Sequence, residues 1–522
     1  MKSHLLYIAF LLLGIVTFGC LSQEQAPPNV IIILVDDLGY SDIGTYGGEI
    51  STPNLDRLAK QGLKFTQFYN TAKCTETRAQ LLTGLYHQQT DNVTRSDNNV
   101  TLAEVFNQAG YETILSGKWH LGNWLEETGT PTDRGFDHFF GFLGGTINYY
   151  TGEDWGTGRN LMRRDTAVYQ VPDNFYSTDA FTNYAMEQIS SANGNNHPFF
   201  LYLAHNAPHF PLHVMSGEID KYRATYSIGW DSLRQQRYEQ MKSTGLIREN
   251  WALTERDSLV PAWKSLDEER RQEEQLLMAA YAGMVDRLDQ QVGRLMDNLE
   301  ELGVAENTII MFLSDNGACP YDFNRTPNLP PGPEQAARSY DTEWANASNT
   351  PFRKYKQWIH EGGIATPMIV RWPGTIAPGS VTRQPGHVLD VMPTLLEAAG
   401  LSYPESFRGN KILPMEGQSL MSVWTGNSEF FRDTMFWEFR GSRAVRNGAW
   451  KLVAERGGPW ELYNLDEDRT ETTDLRVKHP GRVSRMARMY DRWADRVGAV
   501  PNRRAREMRK NSQDRYLYEF EK

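Results

Sequence analysis

The chain has 522 residues, of which 40% are hydrophobic, 12% aromatic and 23% charged. These fractions are typical of a globular protein with a large core, and they exclude disorder, a collagen helix and a coiled coil as the main state. The formal net charge of -11 argues against a nucleic-acid partner, because such partners bind to basic surfaces. An anionic substrate would therefore have to be attracted by a local positive pocket.

The N-terminus has the pattern of an export signal. The apolar run 5–19 is short for a membrane span but fits a secretory signal. TFGC at 17–20 resembles a bacterial lipobox, whose cysteine, here Cys20, is lipidated. We expect a signal peptide at 1–19, a tether at 20–28 and an exported bacterial lipoprotein, periplasmic or at the outer membrane or cell surface, with the lipid as its only membrane anchor. Plain secretion or a short buried helix are alternatives, because Thr17 stands where a lipobox usually has leucine.

From residue 29 onward, strands and helices alternate. The run VIIILV at 30–35 is continuously apolar, as expected of a central parallel strand that is buried on both faces. The alternation predicts an α/β fold with a large, doubly wound mixed sheet flanked by helices. We place this large α/β domain at 29–408, with a helical insertion at 214–272. Further strands are predicted at 65–69, 112–115, 199–204, 308–313 and 367–371, and helices at 53–60, 101–109, 178–191, 273–302 and 388–399.

The character of the sequence changes at about residue 409. Short segments that favour strands are followed by one amphipathic helical pattern at 480–497. We predict a smaller C-terminal α+β subdomain at 409–522, consisting of an antiparallel sheet and a closing helix. Its predicted strands are 436–439, 442–445, 450–453 and 460–465.

Two of the predicted strands end in acidic loops. Asp36 and Asp37 follow the first strand, and SDNG at 314–317 follows the strand 308–313. Ligands of open α/β sheets bind beyond the carboxyl ends of the strands, so the two loops can together supply four oxygen ligands to one divalent cation. Because neither loop contains cysteine or histidine, Ca²⁺ or Mg²⁺ is favoured over zinc. A single aspartate after a strand would more often be a turn or a helix cap.

Four further segments carry groups suited to anion chemistry. CTETR at 74–78 places a cysteine before a short helix, whose amides and arginine would favour an anion or a lowered thiol pKa. GKWHLG at 117–122 sets a cation and an imidazole two residues apart, on one face of an extended segment. The other two are AHNAPHFP at 204–211 and KYKQWIHEGG at 354–363. Taken singly, each histidine or lysine could be packed or exposed without a role, and Cys74 could form a disulfide with Cys319.

Taken in order, these motifs resemble those of the type I sulfatases, a family of the alkaline-phosphatase superfamily. The matching order is DD, CxxxR, GKWHLG, PHxP, SDNG and K-x4-EGG. The resemblance extends from Asn29 into the C-terminal subdomain, through TPNLDRLAKQGLKF, GIATPMIVRWPG and ELYNLDED. The sequence most strongly resembles bacterial arylsulfatase-like enzymes, which are sulfuric ester hydrolases and commonly act on sulfated glycans. The resemblance therefore implies a sulfatase, and we expect an exo-acting glycan O-sulfatase with a sulfated carbohydrate as substrate.

The resemblance also implies a modification and a metal. In the family, a separate maturation enzyme oxidises the cysteine that matches Cys74 to formylglycine (3-oxoalanine), whose hydrated aldehyde is the nucleophile. A divalent cation, Ca²⁺ before Mg²⁺, contacts an oxygen of the sulfate. The implied metal ligands are Asp36, Asp37, Asp315, Asn316 and the modified Cys74.

The same resemblance implies roles for five further side chains. Arg78 would position the hydrate, and Lys118 and Lys356 would neutralise the sulfate. His209 would protonate the leaving oxygen, and His120 would take the proton of the second hydroxyl as sulfate is expelled. This division agrees with the chemistry, because sulfuryl transfer spreads charge over equatorial oxygens and a poor alcohol leaving group needs an acid.

One position departs from the family pattern. Proline, or sometimes alanine, normally stands two residues after the cysteine, where this chain has Glu76. Proline would favour an extended conformation for the maturation enzyme, whereas glutamate adds a charge. We expect Cys74 to be modified all the same, because the other catalytic positions match.

Two other functions stay open. A phosphatase or phosphodiesterase of the same superfamily would share the sheet and metal loops, but it usually carries a Ser or Thr nucleophile and two zinc ions with several His ligands. A non-catalytic, glycan-binding lipoprotein would result if Glu76 prevented modification, although the intact cationic and histidine positions count against it. The residues that could shape the sugar subsites, or could equally be packing residues, are Tyr149, Tyr150, Trp155, His213, His360 and the insertion 214–272.

Overall fold

The structure is a computed structural model that describes residues 26–94, 97–215, 217–426 and 432–499. The predicted signal peptide and the predicted lipidation site at Cys20 lie outside the described residues. Within these ranges, no helix combines the length and the apolar character needed to cross a membrane.

A sheet that contains eleven strands of the described chain forms the centre of the molecule. The strands β8, β1, β7, β3 and β4 run parallel, whereas β9 is antiparallel to both β8 and β2. The predicted mixed sheet is therefore confirmed. The order across the sheet is β10-β2-β9-β8-β1-β7-β3-β4-β5-β6, with β11 also paired to β2. The strands are β1 (Asn29–Val35), β2 (Leu63–Tyr69), β3 (Glu112–Lys118), β4 (His138–Phe142), β5 (Met162–Arg164), β6 (Ala167–Val168), β7 (Phe199–Ala204), β8 (Thr308–Ser314), β9 (Ala365–Arg371), β10 (Ser380–Thr382) and β11 (Gly386–His387).

Helices cover both faces of this sheet. Strand β1 shows why, because Ile31 and Ile33 belong to the core formed with α4 and α6, whereas Val30 and Ile32 belong to the core formed with α2, α3 and α9. Burying each such side chain stabilises the fold by about 1.5–3 kcal/mol. The doubly wound architecture is thus confirmed. The helices are α1 (Pro53–Gln61), α2 (Cys74–Thr83), α3 (Leu102–Gln108), α4 (Ser177–Gly194), α5 (Gly229–Ser243), α6 (Glu268–Glu301), α7 (Asp341–Ser348), α8 (Glu361–Ile364), α9 (Val391–Ala398) and α10 (Met421–Trp424).

Helix α6 begins earlier than its predicted start at residue 273. Asp267 is its N-cap, and the Asp267 carboxylate accepts a hydrogen bond from the Arg270 amide. Two glutamates fall in the first turn, where negative charge is favourable. The apolar periodicity that predicts the helix starts only at Leu277, so it does not reveal these charged first turns.

The central strands end level with one another. Strand β1 pairs with β8 so that Val35 lies opposite Ser314, and with β7 so that Leu34 lies opposite Ala204. Gly117 of β3 also lies opposite Ala204. The carboxyl ends of these four strands therefore meet at one edge of the sheet, and the loops that follow them share one surface.

Smaller antiparallel sheets follow the central one. Helix α11 (Pro480–Val497) packs Tyr490 and Trp493 in one hydrophobic cluster with Leu452. The predicted C-terminal sheet and closing helix are confirmed, while the domain boundary at 408/409 and the extent of the insertion 214–272 stay predictions. Strands β12 (Ser406–Phe407) and β13 (Asn410–Lys411) form a ribbon, and a four-stranded sheet is formed in chain order by β14 (Thr434–Phe439), β15 (Ser442–Asn447), β16 (Trp450–Ala454) and β17 (Glu461–Asn464).

Candidate active site

Four of the predicted site residues form one ionic cluster at the level edge of the sheet. Asp36 directly follows β1, and Lys118, the last residue of β3, places its Nζ 2.6 Å from Asp36 Oδ2. Arg78 of helix α2 donates to Asp315 Oδ2 at 2.8 Å and to the Lys118 carbonyl oxygen at 3.1 Å. All four residues are fully buried. Because buried charges are tolerated only when paired, each fixes the position of its partner.

A second set of side chains surrounds Asp37. Lys356 Nζ donates to both carboxylate oxygens of Asp37, at 2.7 and 2.9 Å. The Asn316 side chain donates from its Nδ2 to Asp37 Oδ1 at 2.6 Å, and His209 Nε2 lies 3.3 Å from Asp37 Oδ2. The backbone of Asp37 has φ +69°, a left-handed conformation that aspartate tolerates better than most residues. This turn allows the adjacent Asp36 and Asp37 to contact different partners.

Cys74, the first residue of α2, lies in the same cluster. Its thiol and one oxygen each of Asp36 and Asp315 lie within 4.8 Å of one another. The cysteine is 2% exposed and does not pair with Cys319, so the disulfide alternative is wrong. The expectation of a lowered thiol pKa is also wrong, because burial raises the pKa of Cys74 more than the nearby lysines lower it.

The donor atoms of this cluster fit a hard divalent cation. Asp36 Oδ1 and Asn316 Oδ1 are buried, and neither accepts a hydrogen bond from the described residues. A buried oxygen without a partner is costly, and a cation would satisfy both atoms. Carboxylate and amide oxygens are the ligands that Ca²⁺ and Mg²⁺ prefer.

Asp36 and Asp315 have opposite pKa shifts. Burial opposes the ionisation of Asp36, but Lys118 and the neighbouring cationic groups outweigh it and hold the pKa of Asp36 far below its usual range. Burial, together with the charge of Asp36, raises the pKa of Asp315 to about 7, although Arg78 opposes the rise. The acidic loops thus concentrate more negative charge than the surrounding side chains fully stabilise, which favours the binding of an additional cation.

Uncharged side chains hold the loops of the cluster together. Thr77 Oγ1 donates to the Asp315 carbonyl oxygen at 2.6 Å, so the second acidic loop is tied to helix α2. Asn70, which follows β2, donates to the Ser314 carbonyl oxygen and to Thr366. Sequence reasoning missed these residues, because they carry no charge and match no ligand pattern. Their only signal is their position beside Cys74.

His120 reaches the cluster through a turn. The predicted extended segment, in which Lys118 and His120 share a face, is wrong: β3 ends at Lys118, and His120 has φ +55°. His120 Nδ1 nevertheless lies 3.3 Å from Cys74 Sγ, and its Nε2 lies 3.3 Å from Thr75 Oγ1. Gly145 leaves room for the ring, since a Cβ there would lie 2.8 Å from His120 Nε2. Burial and nearby cations keep the pKa of His120 well below its usual value, so the ring is neutral and can accept a proton.

His209 lies on a turn that follows β7. Its Nδ1 is 2.6 Å from the Phe210 carbonyl oxygen, which makes Nδ1 the donor and leaves Nε2 facing Asp37. The Tyr149 hydroxyl contacts the carbonyl oxygens of His209 and Asn206, at 2.7 and 2.8 Å. Tyr149, a candidate subsite residue, is only 1% exposed and instead supports this turn. Burial lowers the pKa of His209 to about 4, against the raising effect of Asp37.

Aromatic side chains lie beside the histidine and the lysine. The centroid of the Phe210 ring is 4.2 Å from that of His209 and 6.1 Å from that of Tyr321. Lys356 Nζ lies 5.4 Å from the Tyr321 ring centroid, and the Gln357 amide donates to the Tyr321 hydroxyl. Sequence reasoning did not single out Phe210 or Tyr321 as candidates, because an isolated aromatic residue carries no functional signal.

The other candidate subsite residues lie in two places. His213 contacts the rings of Tyr150 and Trp155, with centroid distances of 5.4 and 5.9 Å. His360 is buried, and its Nε2 lies 3.4 Å from Glu461 of β17. His360 therefore lies toward the C-terminal sheet, whereas a contribution of the other three residues to substrate binding stays a prediction.

Comparisons with known proteins identify the family of this chain. The family model described as Sulfatase matches residues 28–401, and the model described as N-sulphoglucosamine sulphohydrolase, C-terminal, matches residues 352–492. An uncharacterized sulfatase of Schizosaccharomyces pombe is 33% identical over 91% of this chain and 95% of its own length. An arylsulfatase of Klebsiella aerogenes is 34% identical over 78% of this chain and 94% of its own length.

A solved structure gives the same result. The crystal structure of Ps i-CgsB in complex with k-i-k-neocarrahexaose is similar with a TM-score of 0.65 and 26% identity, covering 90% of this chain and 93% of that chain. The family match spans most of the chain, and the motifs expected from the sequence converge in one buried cluster. The chain therefore belongs to the sulfatase family, within the alkaline-phosphatase superfamily, and it is an enzyme that hydrolyses sulfate esters.

Proposed function

We propose that this sulfatase is an exo-acting glycan O-sulfatase that uses a formylglycine made from Cys74 and a bound Ca²⁺. The observation that carries the proposal is the position of Cys74 Sγ, which lies within 4.8 Å of oxygen atoms of both Asp36 and Asp315. A nucleophile at position 74 would thus meet the metal loops and the fixed cations at one point. That juxtaposition is what a sulfuryl-transfer site requires.

The proposed cation would be held by oxygen atoms of both acidic loops and by the modified residue 74. The buried Oδ1 atoms of Asp36 and Asn316, which accept no hydrogen bond from the described residues, support this assignment. When bound, such a cation would supply Lewis-acid chemistry by polarising the sulfate. If Cys74 is converted to formylglycine, the aldehyde hydrate would supply a hydroxyl as the nucleophile. The side-chain ligands supplied by the loops would be Asp36, Asp37, Asp315 and Asn316.

The cationic side chains of the chain itself would hold the sulfate. Lys118 and Lys356 would place their ammonium groups against its oxygens, on which the charge of the transition state is spread. Each ammonium is already held by a carboxylate, so little reorganisation is needed during the reaction. Arg78 is fixed by Asp315 and by a backbone carbonyl, which suits it to orient the group at position 74.

Two histidines would move protons. The Nδ1 hydrogen of His209 is held by the Phe210 carbonyl oxygen, so Nε2 is the atom that faces the leaving oxygen. Without substrate the ring is neutral, and the negative charge of a bound sulfate ester would favour its protonated form, in which Nε2 carries the proton that it would donate. His120 Nδ1, which lies 3.3 Å from Cys74 Sγ, would accept a proton from the group at position 74. Each histidine then serves the step that needs an acid or a base at that atom.

The burial of the site supports a substrate that enters by its end. Cys74, Asp37 and Lys356 are each at most 2% exposed, so a sulfate group must enter deeply to reach them. The end of a glycan can do so more readily than the middle of a chain. Tyr321 is partly exposed beside Lys356 and offers an aromatic face to the sugar. The neocarrahexaose in the similar Ps i-CgsB structure also supports a saccharide substrate.

The proposal also includes export and lipidation of the chain. The apolar run 5–19 and the sequence TFGC support removal of a signal peptide and lipidation of Cys20 in a bacterial envelope. A catalytic domain at 29–408 and a C-terminal subdomain at 409–522 would follow the tether. Mass spectrometry of the N-terminal peptide from the native host tests this part, and a mature N-terminus without lipid would contradict it.

Peptide mass spectrometry of the segment around Cys74 tests the modification. We expect formylglycine in protein from the native host, where the maturation enzyme is present. If only the thiol is found, the proposed nucleophile is absent, and the alternative of a glycan-binding lipoprotein is favoured.

Substrate assays test the reaction type and the exo mode of action. An aryl sulfate should be hydrolysed faster than the matching aryl phosphate, and a chelator should remove the activity. On a defined oligosaccharide sulfated at every residue, the terminal sulfate should be released first. Faster phosphate hydrolysis would favour a superfamily phosphatase, and early loss of internal sulfates would contradict the exo mode.

A further inference from the structure

A buried ionic cluster joins the catalytic part of the chain to the C-terminal sheet. Glu361 Oε1 accepts a hydrogen bond from Lys451 Nζ at 2.9 Å. Glu361 Oε2 accepts from Arg469 Nε at 2.9 Å and from the Tyr69 hydroxyl at 2.8 Å. Glu471 accepts from the Glu361 amide at 2.9 Å and lies 2.8 Å from Lys451 Nζ. We name Glu361, Lys451, Arg469 and Glu471 the junction cluster.

The junction cluster pairs two carboxylates with two cations in the protein interior. Its two carboxylates and two cations are each at most 1% exposed. Lys451 belongs to β16, while Arg469 and Glu471 lie in the loop after β17, and Glu361 opens helix α8. Removing one partner from such a group leaves a buried charge without compensation. The cluster therefore fixes the position of Glu361 relative to the C-terminal sheet.

Glu361 is linked to the loop that carries Lys356 through the two glycines that follow it. A Cβ at Gly362 would lie 2.2 Å from a carbonyl oxygen of the segment 354–358. A Cβ at Gly363 would lie 1.9 Å from another carbonyl oxygen of this segment. The backbone of both glycines therefore packs directly against the segment that carries Lys356. We expect a displacement of Glu361 to be transmitted to Lys356 through this contact.

The same glycines contact the second acidic loop. The Gly317 amide donates to the Gly363 carbonyl oxygen at 3.1 Å, and a Cβ at Gly317 would lie 1.9 Å from the Gly362 carbonyl oxygen. On the side of Cys74, Trp437 of β14 donates its indole hydrogen to the Asn70 carbonyl oxygen at 2.9 Å. The C-terminal sheet is thus connected to three loops of the site.

We propose that Glu361 is a positioning residue of the sulfatase reaction, and that the C-terminal sheet acts on catalysis through it. Glu361 does not touch the catalytic cluster itself; it holds Lys356 and the second acidic loop where the sulfate is bound, a role that rests on the proposed binding of sulfate by Lys356. Lys451, Arg469 and Glu471 then contribute to the rate although they lie in and after the C-terminal sheet.

Glu361→Gln tests this role, because it keeps the shape of the side chain and removes its charge. We expect kcat for an aryl sulfate to fall about 10- to 100-fold, because a misplacement of about 1 Å caused by a change far from the reacting atoms can cost about 10²-fold. The inhibition constant of inorganic sulfate should rise in parallel, with an unchanged circular dichroism spectrum. The double variant Glu361→Gln/Lys451→Met removes one negative and one positive charge. Its fold-decrease in kcat should therefore be smaller than the product of the fold-decreases of the two single variants.

Glu104→Gln is the matched control for the loss of a buried ion pair. Glu104 lies 3.1 Å from Arg134, both are buried, and they are not part of the catalytic or junction cluster. This variant should lose stability but keep the kcat and the sulfate inhibition of the wild type. Wild-type values in Glu361→Gln, or equal losses in both variants, would overturn the proposal.

Two further measurements keep the test decisive. If Glu361→Gln fails to fold, Glu471→Gln removes a carboxylate of the junction cluster while Glu361 remains, and the same losses are expected. Calorimetric binding of inorganic sulfate, with Lys356→Met as the reference for lost binding, does not require turnover. If the wild type hydrolyses no sulfate ester, the proposed function fails, whereas sulfate bound equally by wild type and Glu361→Gln refutes the positioning role alone.

Discussion

The Tyr149 hydroxyl donates a hydrogen bond to the His209 carbonyl oxygen, at 2.7 Å. The same hydroxyl lies 2.8 Å from the Asn206 carbonyl oxygen. One phenol therefore holds two points of the turn that carries the proposed general acid. Tyr149 does not contact the reacting atoms, so its effect on the rate must come through the position of the imidazole.

Tyr149→Phe should lower kcat about tenfold, because it removes a buried hydrogen bond worth about 1–1.5 kcal/mol and keeps the ring packing. KM should change little, since Lys118 and Lys356 are untouched. Steady-state kinetics with an aryl sulfate check both values. A change in KM alone would show that the hydroxyl supports substrate binding and not the acid.

His209→Ala should affect poor leaving groups most. General acid catalysis contributes about 10²- to 10⁴-fold, and a sugar alcohol needs it more than an activated phenol does. We expect kcat to fall within this range for a sugar sulfate and clearly less for a nitrophenyl sulfate. His197→Ala, at a residue with a 57% exposed side chain, is the control and should resemble the wild type. Equal losses for both leaving groups would contradict the acid role.

Chelation should remove both activity and part of the stability. A ligand at 100 times its Kd stabilises the folded state by about 2.7 kcal/mol, so Ca²⁺ should raise Tm and EGTA should lower it. Asp37→Asn should abolish the Ca²⁺-dependent part of this shift. Restoration of activity by zinc but not by Ca²⁺ or Mg²⁺ would contradict the oxygen-ligand site.

Glu76→Pro should increase maturation. Glu76 is the third residue of α2, and the first turn of a helix tolerates proline because its amides lack partners within the helix. We expect a larger fraction of formylglycine and a proportional gain in activity per milligram, with kcat per modified site unchanged. Mass spectrometry of the residue-74 peptide measures the fraction, and an unchanged value would show that glutamate is no obstacle.

Stability in acid should depend on Glu361. Burial opposes the ionisation of Glu361, but Lys451 and Arg469 outweigh it and lower its pKa to about 2, from an ordinary 4.5. Because the folded pKa lies below the unfolded one, the ionised carboxylate stabilises the fold above about pH 4.5. This contribution is lost as the pH falls from about 4.5 toward 2. Urea unfolding of wild type and Glu361→Gln should show a difference in unfolding free energy that narrows on acidification, and a constant difference would contradict the assignment.

The fold could be predicted because its signals are local. The apolar run of β1 and the three- and four-residue spacing in α6 are readable within one segment, and their alternation implies the layered sheet. The convergence of Asp36 with Asp315 also follows from sequence, since the carboxyl ends of parallel strands meet at one edge. Here local pattern and topology were sufficient.

The remaining features depend on contacts between distant segments. Glu361 contacts Lys451 and Arg469, which lie 90 and 108 residues away in the sequence, and no sequence spacing predicts such pairs. The left-handed backbone of His120 and the raised thiol pKa of Cys74 also follow from packing around them. Local rules assume an extended backbone and a solvated thiol, and burial overrides both.

The charges around the reaction centre have one more consequence. The carboxylates of Asp36, Asp37 and Asp315 are matched by three cationic side chains, so their formal charges cancel. Without a bound cation, such a balanced group exerts almost no field beyond about 8 Å, the Debye length at physiological ionic strength. The protein as a whole carries -11 and repels an anion. Only the proposed Ca²⁺ would give this group a net positive charge, so a polyanionic glycan would be attracted to the site when the cation is bound and would receive no such guidance when it is absent.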